Sequence, residues 1–190
     1  MVRGTLPQPR DLSGTGGLPQ SVGEGLQIRR RHLPHWQAGG SWYFVTFRLA
    51  RGPLPAEARR AVMDVLMGGD GARYELVAAV VMPDHVHCVL HPLERAPGAW
   101  LDLGRLLKTL KGVSARRVNE VLSTRGTVWQ DESWDRVIRS EPELWARVEY
   151  IRTNPVRAGL VSEAEEYPLL LMPGTEVGGD RQDCRSHGRR

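Results

Sequence analysis

YELVAAVVMPDHVHCVL, residues 74–90, reads as two strands and the turn between them. Tyr74 to Met82 is a continuous apolar, β-branched run, and His85 to Leu90 resumes it after Pro83-Asp84. Short runs of this kind bounded by turn residues are buried strands. The two intervening residues predict a tight antiparallel hairpin, although Pro-Asp is not a pair preferred in primed turns. Strand side chains alternate, so His85 and His87 project to one side while Val86 enters the core on the other. Two imidazoles on one face align two ligands for a metal. A His–apolar–His triplet also arises by chance, and alone it leaves both readings open.

Upstream, Trp42 to Leu49 is aromatic and β-branched behind a Gly39-Gly40 turn, a strand by composition. Pro55 to Met67 carries Ala58, Val62, Val65 and Leu66 at helical spacing, with Pro near the first turn and Gly68-Gly69 after the last. Downstream, Leu101 to Leu122 is a long helix with Leu103, Leu106, Leu107, Leu110, Val113, Val118 and Val121 on one face. Arg105, Lys108, Lys111 and Arg116 occupy the opposite arc, either an ordinary solvated face or one wall of a nucleic-acid groove. Trp134 to Arg139 is a short strand candidate, and Pro142 to Thr153 a helix stopped before Pro155. The order βαββαβ plus a final helix is the split pattern of a ferredoxin-like α+β sandwich, an antiparallel sheet with helices packed on it. On that final helix Tyr150 and Asn154 are four apart and share a face, beside an apolar face of Leu144, Val148 and Ile151. Tyr150 also reads as a half-buried core tyrosine, and Asn154 as a helix-terminating residue.

The chain of 190 residues suits one compact domain. Residues 1–27, rich in Gly, Pro, Ser and Gln, read as a disordered leader, 28–170 as the folded domain, and 171–190 as a flexible basic tail. The longest apolar stretch, Leu76 to Met82, is far shorter than the roughly 20 residues of a membrane span, so a cytoplasmic protein is expected. Two cysteines, Cys88 and Cys184, cannot build a disulfide framework or a Cys-rich zinc site. A net charge of +4, with 24 of the 26 basic residues arginine, makes polyanions plausible partners.

The segments IRRRHLPHWQ (28–37), WYFVTFRL (42–49), VVMPDHVHCVL (80–90), LKTLKG (107–112), VWQDESWDRVIR (128–139) and YIRTNPVRAGLV (150–161) together resemble the REP-associated tyrosine transposases. These are relatives of the insertion-sequence single-strand DNA transposases with the HUH signature, and the similarity runs in order from about Arg29 to Tyr167. The resemblance implies an HUH endonuclease fold, a divalent metal, Mg²⁺ or Mn²⁺, held by His85 and His87, and Tyr150 as nucleophile. It implies cleavage and rejoining of single-stranded or hairpin DNA through a 5′-phosphotyrosine. Related transposases place a Gln metal ligand four residues after the tyrosine, where this chain has Asn154, whose side chain is shorter. Asp84 stands where many relatives have Asn. The same resemblance turns Arg105, Lys108, Lys111 and Arg116 into expected DNA-backbone contacts, and Arg29, Arg30 and Arg31 into hairpin contacts. Trp129 or Trp134 could stack on an unpaired base, although core packing suits both. His91 shares the face of the two histidines but falls outside the expected metal shell. The protein is expected to act as a monomer or homodimer, with no membrane partner. Two other readings stand beside this one: a non-catalytic nucleic-acid-binding ferredoxin-like module, which requires exposed aromatics on the central strands, and an HUH nickase of the replication or relaxase kind.

Overall fold

The computed structural model describes residues 27–30, 34–37 and 40–174. Two short strands, β1 (Gln27–Arg30) and β2 (Pro34–Gln37), pair with each other. Then come β3 (Trp42–Leu49), α1 (Ala56–Met67), β4 (Tyr74–Val81), β5 (His85–Pro92), β6 (Glu94–Ala96), β7 (Ala99–Trp100), α2 (Leu103–Leu122), β8 (Trp129–Ile138), α3 (Glu141–Arg157) and β9 (Leu170–Leu171). The main sheet is antiparallel, in the order β8-β3-β5-β4-β9. Its first four strands are the ferredoxin-like arrangement expected from the sequence, with β9 added at one edge.

The β4–β5 hairpin closes through Pro83-Asp84, with the Met82 N–H donating to the His85 carbonyl at 2.8 Å. The end of β3 and the loop from it to α1 clamp this turn, because the N–H groups of Leu49 and Leu54 donate to the carbonyls of Asp84 and Pro83. Those two bonds hold a turn whose own residues do not favour it.

Each face of the sheet is covered by helices. Phe47 packs edge-on against Trp129, and the Trp129 indole N–H donates to Ser114 Oγ of α2, so α2, with α1 packed on it, covers the face of Val45, Phe47, Val86 and Cys88. The opposite face, with Phe44, Thr46, His85 and His87, receives α3. The Tyr167 hydroxyl donates to the Val81 carbonyl and accepts from Arg59, fixing the segment that leads into β9.

Several boundaries differ from the sequence expectation. β8 begins at Trp129, five residues before Trp134, because Trp129 is drawn under Phe47 while the polar residues that follow face outward on an edge strand. Helix α2 begins at Leu103, where Asp102 caps it through the Arg105 N–H, and Val121 in its last turn is 45% exposed, beyond the core. Helix α3 does not stop at Pro155 but includes it: in the last turn the ring removes one hydrogen bond and is itself buried. Asn154 is therefore a helical residue and not a terminator. The β6–β7 hairpin, turning at Gly98 (φ +74°), had no clear signal in the sequence. Gln27 and Leu171, assigned to the leader and tail, lie in strands, while residues 1–26 and 175–190 are outside the described residues. Among the described residues, no helix is long and apolar enough to cross a membrane.

Candidate active site

Antiparallel pairing sets Trp134 of β8 opposite Thr46 of β3, and Thr46 opposite His87 of β5, forming one row across the sheet. His85 faces Arg48 one step along. Alternation thus places both imidazoles on the α3 side, their ring centroids 4.6 Å apart, while Val86 and Cys88 are fully buried on the other side.

Each ring is held at its Nδ1. His85 Nδ1 donates to Asp84 Oδ1 at 2.7 Å, and His87 Nδ1 lies 2.7 Å from Thr46 Oγ1. A carboxylate only accepts, so neutral His85 keeps its lone pair on Nε2; His87 does likewise when its Nδ1–H donates to Thr46. This is the orientation that outer partners give to metal-binding imidazoles. Burial, then the neighbouring His85 and Arg48 charges, push the His87 pKa down to about 3, so its ring is neutral at pH 7, as a ligand must be. Partial burial opposes ionisation of Asp84, but the hydrogen bond and charge of His85, with Arg48, hold its carboxyl below the usual range.

Tyr150 reaches this face from α3. Leu144, Val148, Ile151 and Pro155 are the buried residues of the helix and seat it on the sheet, as the apolar spacing required. The Tyr150 ring lies 5.3 Å from His87 and 5.8 Å from Phe44, and Phe44 stacks on His87 at 5.4 Å. The Arg157 guanidinium sits 5.6 Å from the Tyr150 ring centroid, a cation over the π-face. The chain has four tyrosines. Tyr43, Tyr74 and Tyr167 are buried at 2%, 2% and 6% exposure, so Tyr150 alone presents an accessible phenol.

Glu143 in the first turn of α3 ties the helix to β8. Its carboxylate accepts from Arg136 Nε at 2.8 Å and from the Arg139 N–H at 3.0 Å, and Ser140 caps the same turn. Partial burial works against this carboxylate, but the Arg139 N–H, the Arg136 bond and the charges of Arg136 and Arg147 hold its pKa below the ordinary value. The unfolded chain therefore binds this proton at higher pH than the folded one. The stabilisation is complete above the unfolded pKa of about 4.3 and is lost as pH falls through the depressed folded value. We expect Glu143→Gln to cost about 1 kcal/mol at pH 7, with the Tm difference from the wild type shrinking toward pH 3 in thermal melts. A difference independent of pH would contradict the tether.

The remaining expected residues divide by location. Asn154 lies one turn beyond Tyr150 on α3 and is half-buried. Among the described residues no group of three or more His, Cys, Asp or Glu side chains is placed to hold a metal, and the Asn154 amide is the described candidate for a third ligand. The paired imidazoles, with their outer partners in place, fit a divalent ion. Arg105, Lys108 and Lys111 line a cavity of about 570 Å³ with residues 129–133 of β8, where Lys111 Nζ donates to the Asp131 carbonyl. That cavity lies on the α2 side of the sheet, away from Tyr150, and Arg116 is exposed outside it. Arg29 and Arg30 belong to β1, and Arg31 lies outside the described residues. His91 is buried between Trp42 and Trp100 with its Nδ1 on the Ser41 carbonyl, apart from the His85–His87 pair. Trp129 is core, whereas Trp134 is 45% exposed. Central-strand aromatics Trp42, Tyr43, Phe44 and Phe47 are all buried, so the exposed platform that a binding module requires is absent from β3.

Sequence reading missed Thr46, Arg147 and Arg157. Arg147, Tyr150, Asn154 and Arg157 recur at helical spacing, and that period, carried to the polar residues of α3, was the available signal. Nothing local marks Thr46, whose role follows from strand pairing.

Residues 69–142 match the family model described as Transposase IS200 like. The match takes in both histidines and ends just before Tyr150. The chain is 25% identical over 136 residues to the REP-associated tyrosine transposase of Escherichia coli (strain K12), covering 69% of this chain and 75% of that protein. Its fold is similar to the solved structure of a REP-associated tyrosine transposase bound to a REP hairpin, with a TM-score of 0.55, 23% identity, and coverage of 76% of this chain and 81% of that one. The chain is thus similar in sequence to a REP-associated tyrosine transposase and in fold to another, and its residues 69–142 match the IS200-like transposase model.

Proposed function

We propose that the protein is a metal-dependent single-strand DNA transposase, cleaving and rejoining DNA at hairpin sequences through a covalent 5′-phosphotyrosine at Tyr150. The observation that carries this reading is that the only accessible phenol of the chain stands 5.3 Å, ring to ring, from one of two imidazoles oriented as ligands. The kinship with REP-associated tyrosine transposases supports it, as does the REP hairpin held by the similar solved structure.

Tyr150 Oη attacks the scissile phosphorus. The Oη–P bond forms, the P–O3′ bond breaks, its electron pair leaves with O3′, and the phenolic proton passes to solvent or to the departing oxygen. The phosphodiester energy is kept in the new linkage, so a second 3′-hydroxyl can reverse the step and join a different strand. His85 and His87 would hold a divalent ion, Mg²⁺ or Mn²⁺, through Nε2, with Asn154 offering its amide oxygen. When bound, that ion supplies Lewis-acid polarisation and alignment of the scissile phosphate. Arg157 lies over the ring of Tyr150 and places a cation on its π-face, beside the position the phosphate would take. Glu143, Ser140 and the apolar face of α3 hold the nucleophile against the sheet.

The test is incubation with end-labelled single-stranded DNA from the palindromes flanking the gene, with Mn²⁺ or with EDTA, followed by a denaturing gel. A protein–DNA band that survives denaturation and needs Mn²⁺ is the expected result. Binding with no adduct across metals and substrates would overturn the catalytic reading.

A further inference from the structure

Trp134 is the only aromatic among the exposed large hydrophobic residues of the described chain, at 45% exposure. It sits on the α3 side of the sheet, in one row with Thr46 and His87. Two strand spacings, about 10 Å, therefore separate its backbone from that of His87. Its indole packs edge-on against Phe44 at 5.7 Å and 75°, and Phe44 in turn touches His87 and Tyr150. One buried partner thus orients the indole while much of its surface stays open to solvent.

A second observation concerns the same phenylalanine. The Arg147 guanidinium lies 5.4 Å from the Phe44 ring centroid, and its buried Nε has no hydrogen-bond partner. Its nearest carboxylate, on Glu143, is 4.0 Å away and already accepts from Arg136 and the Arg139 N–H. A planar cation whose ion pair with Glu143 is as long as 4.0 Å suits phosphate, and an exposed indole suits the face of an unpaired base. Phe44 holds both groups on the side where Tyr150 stands.

We propose that Trp134 and Arg147 form a nucleotide-binding step at the mouth of the active site: Trp134 stacks on an unpaired DNA base roughly one or two nucleotides from the scissile phosphate, and Arg147 takes a phosphate beside it. The inference rests on the proposed transposase reading, and it adds a positioning role that the metal pair and nucleophile do not fill. Stacking is indifferent to base identity but requires a base, so the step selects unpaired strand over duplex.

The test uses the full chain in the Tyr150→Phe background, so that binding is measured without the covalent step. Fluorescein-labelled single-stranded DNA from the gene's flanking palindromes is titrated, intact and with an abasic site moved one position at a time through the unpaired region. Trp134→Ala should weaken binding of the intact strand about tenfold, the loss typical of one base–aromatic stack. Trp134→Phe should retain most of the affinity. At one abasic position the parent should lose affinity and Trp134→Ala should lose none further. Arg147→Gln should reduce the slope of log affinity against log salt by about 0.7, one phosphate contact on a single strand. Equal affinity of Trp134→Ala and its parent, or the same abasic penalty in both at every position, overturns the stacking role, as does absence of single-strand binding. An unchanged salt slope overturns the phosphate role. Adduct formation in the Tyr150 protein is scored separately, so stacking without an adduct would sink the transposase reading alone, and an adduct without stacking would sink this one alone.

Discussion

Replacing Tyr150 with phenylalanine is expected to eliminate the covalent protein–DNA adduct, by at least about a thousandfold, while single-strand binding should stay within about twofold of wild type. No other phenol of this chain can take over: Tyr74 donates its hydroxyl to the Leu66 carbonyl, Tyr167 donates to the Val81 carbonyl, and Tyr43 is 2% exposed. Burial, with smaller contributions from Cys88 and Asp70, pushes the Tyr74 phenol well above its ordinary range, which makes it a still poorer nucleophile. The substitution is nearly neutral for the fold, because the Tyr150 ring keeps its contacts with Phe44 and His87 and only the hydroxyl is lost. A Tm within a few degrees of wild type would show this. An adduct of undiminished yield in Tyr150→Phe would place the nucleophile elsewhere, and peptide mapping of the adduct would identify it.

His87→Ala is expected to remove Mn²⁺ binding in titration calorimetry without DNA, and with it more than about 99% of strand cleavage, since one imidazole and an amide hold a divalent ion poorly. The ring is also packed under Phe44 and bonded to Thr46, so this variant will lose some stability. His85→Ala, at a half-buried position, keeps the test clean: metal binding and cleavage should fall as far while the melting curve moves less. Asp84 is expected to act on the metal site by orienting His85, so Asp84→Ala should cost about 10- to 100-fold in metal affinity, and Asp84→Asn, which retains an acceptor oxygen, much less. Stoichiometric Mn²⁺ binding by both histidine variants would remove the pair from the metal site.

Much of this molecule was legible locally. The hairpin of residues 74–90 and the helical period of Leu103, Leu106, Leu107 and Leu110 specify elements through near-neighbour spacing, which is written directly in the chain. The same holds for the two histidines on one face, because strand alternation needs no tertiary information. The order βαββαβ then leaves few sheet arrangements. Element ends were less legible wherever long-range packing outweighed local preference. Trp129 extends β8 by finding Phe47 and Ser114, and burial of Pro155 carries α3 past a residue that usually ends a helix.

Sequence by itself determined the fold class and the histidine pair, which follow from periodicity and strand alternation, whereas the candidacy of Tyr150 came from the resemblance of residues 150–161 to a transposase family. Tertiary structure alone decided which groups meet. Thr46 is 41 residues from His87 and becomes its partner only when β3 pairs with β5. Strand pairing likewise put Trp134 in the row of His87, and the docking of α2 through Ser114 on Trp129 carried Arg105, Lys108 and Lys111 to the opposite side of the sheet. Burial made the difference among four chemically identical phenols: three are enclosed by packing and one is left open beside the histidines, a distinction of solvent exposure that no local pattern encodes.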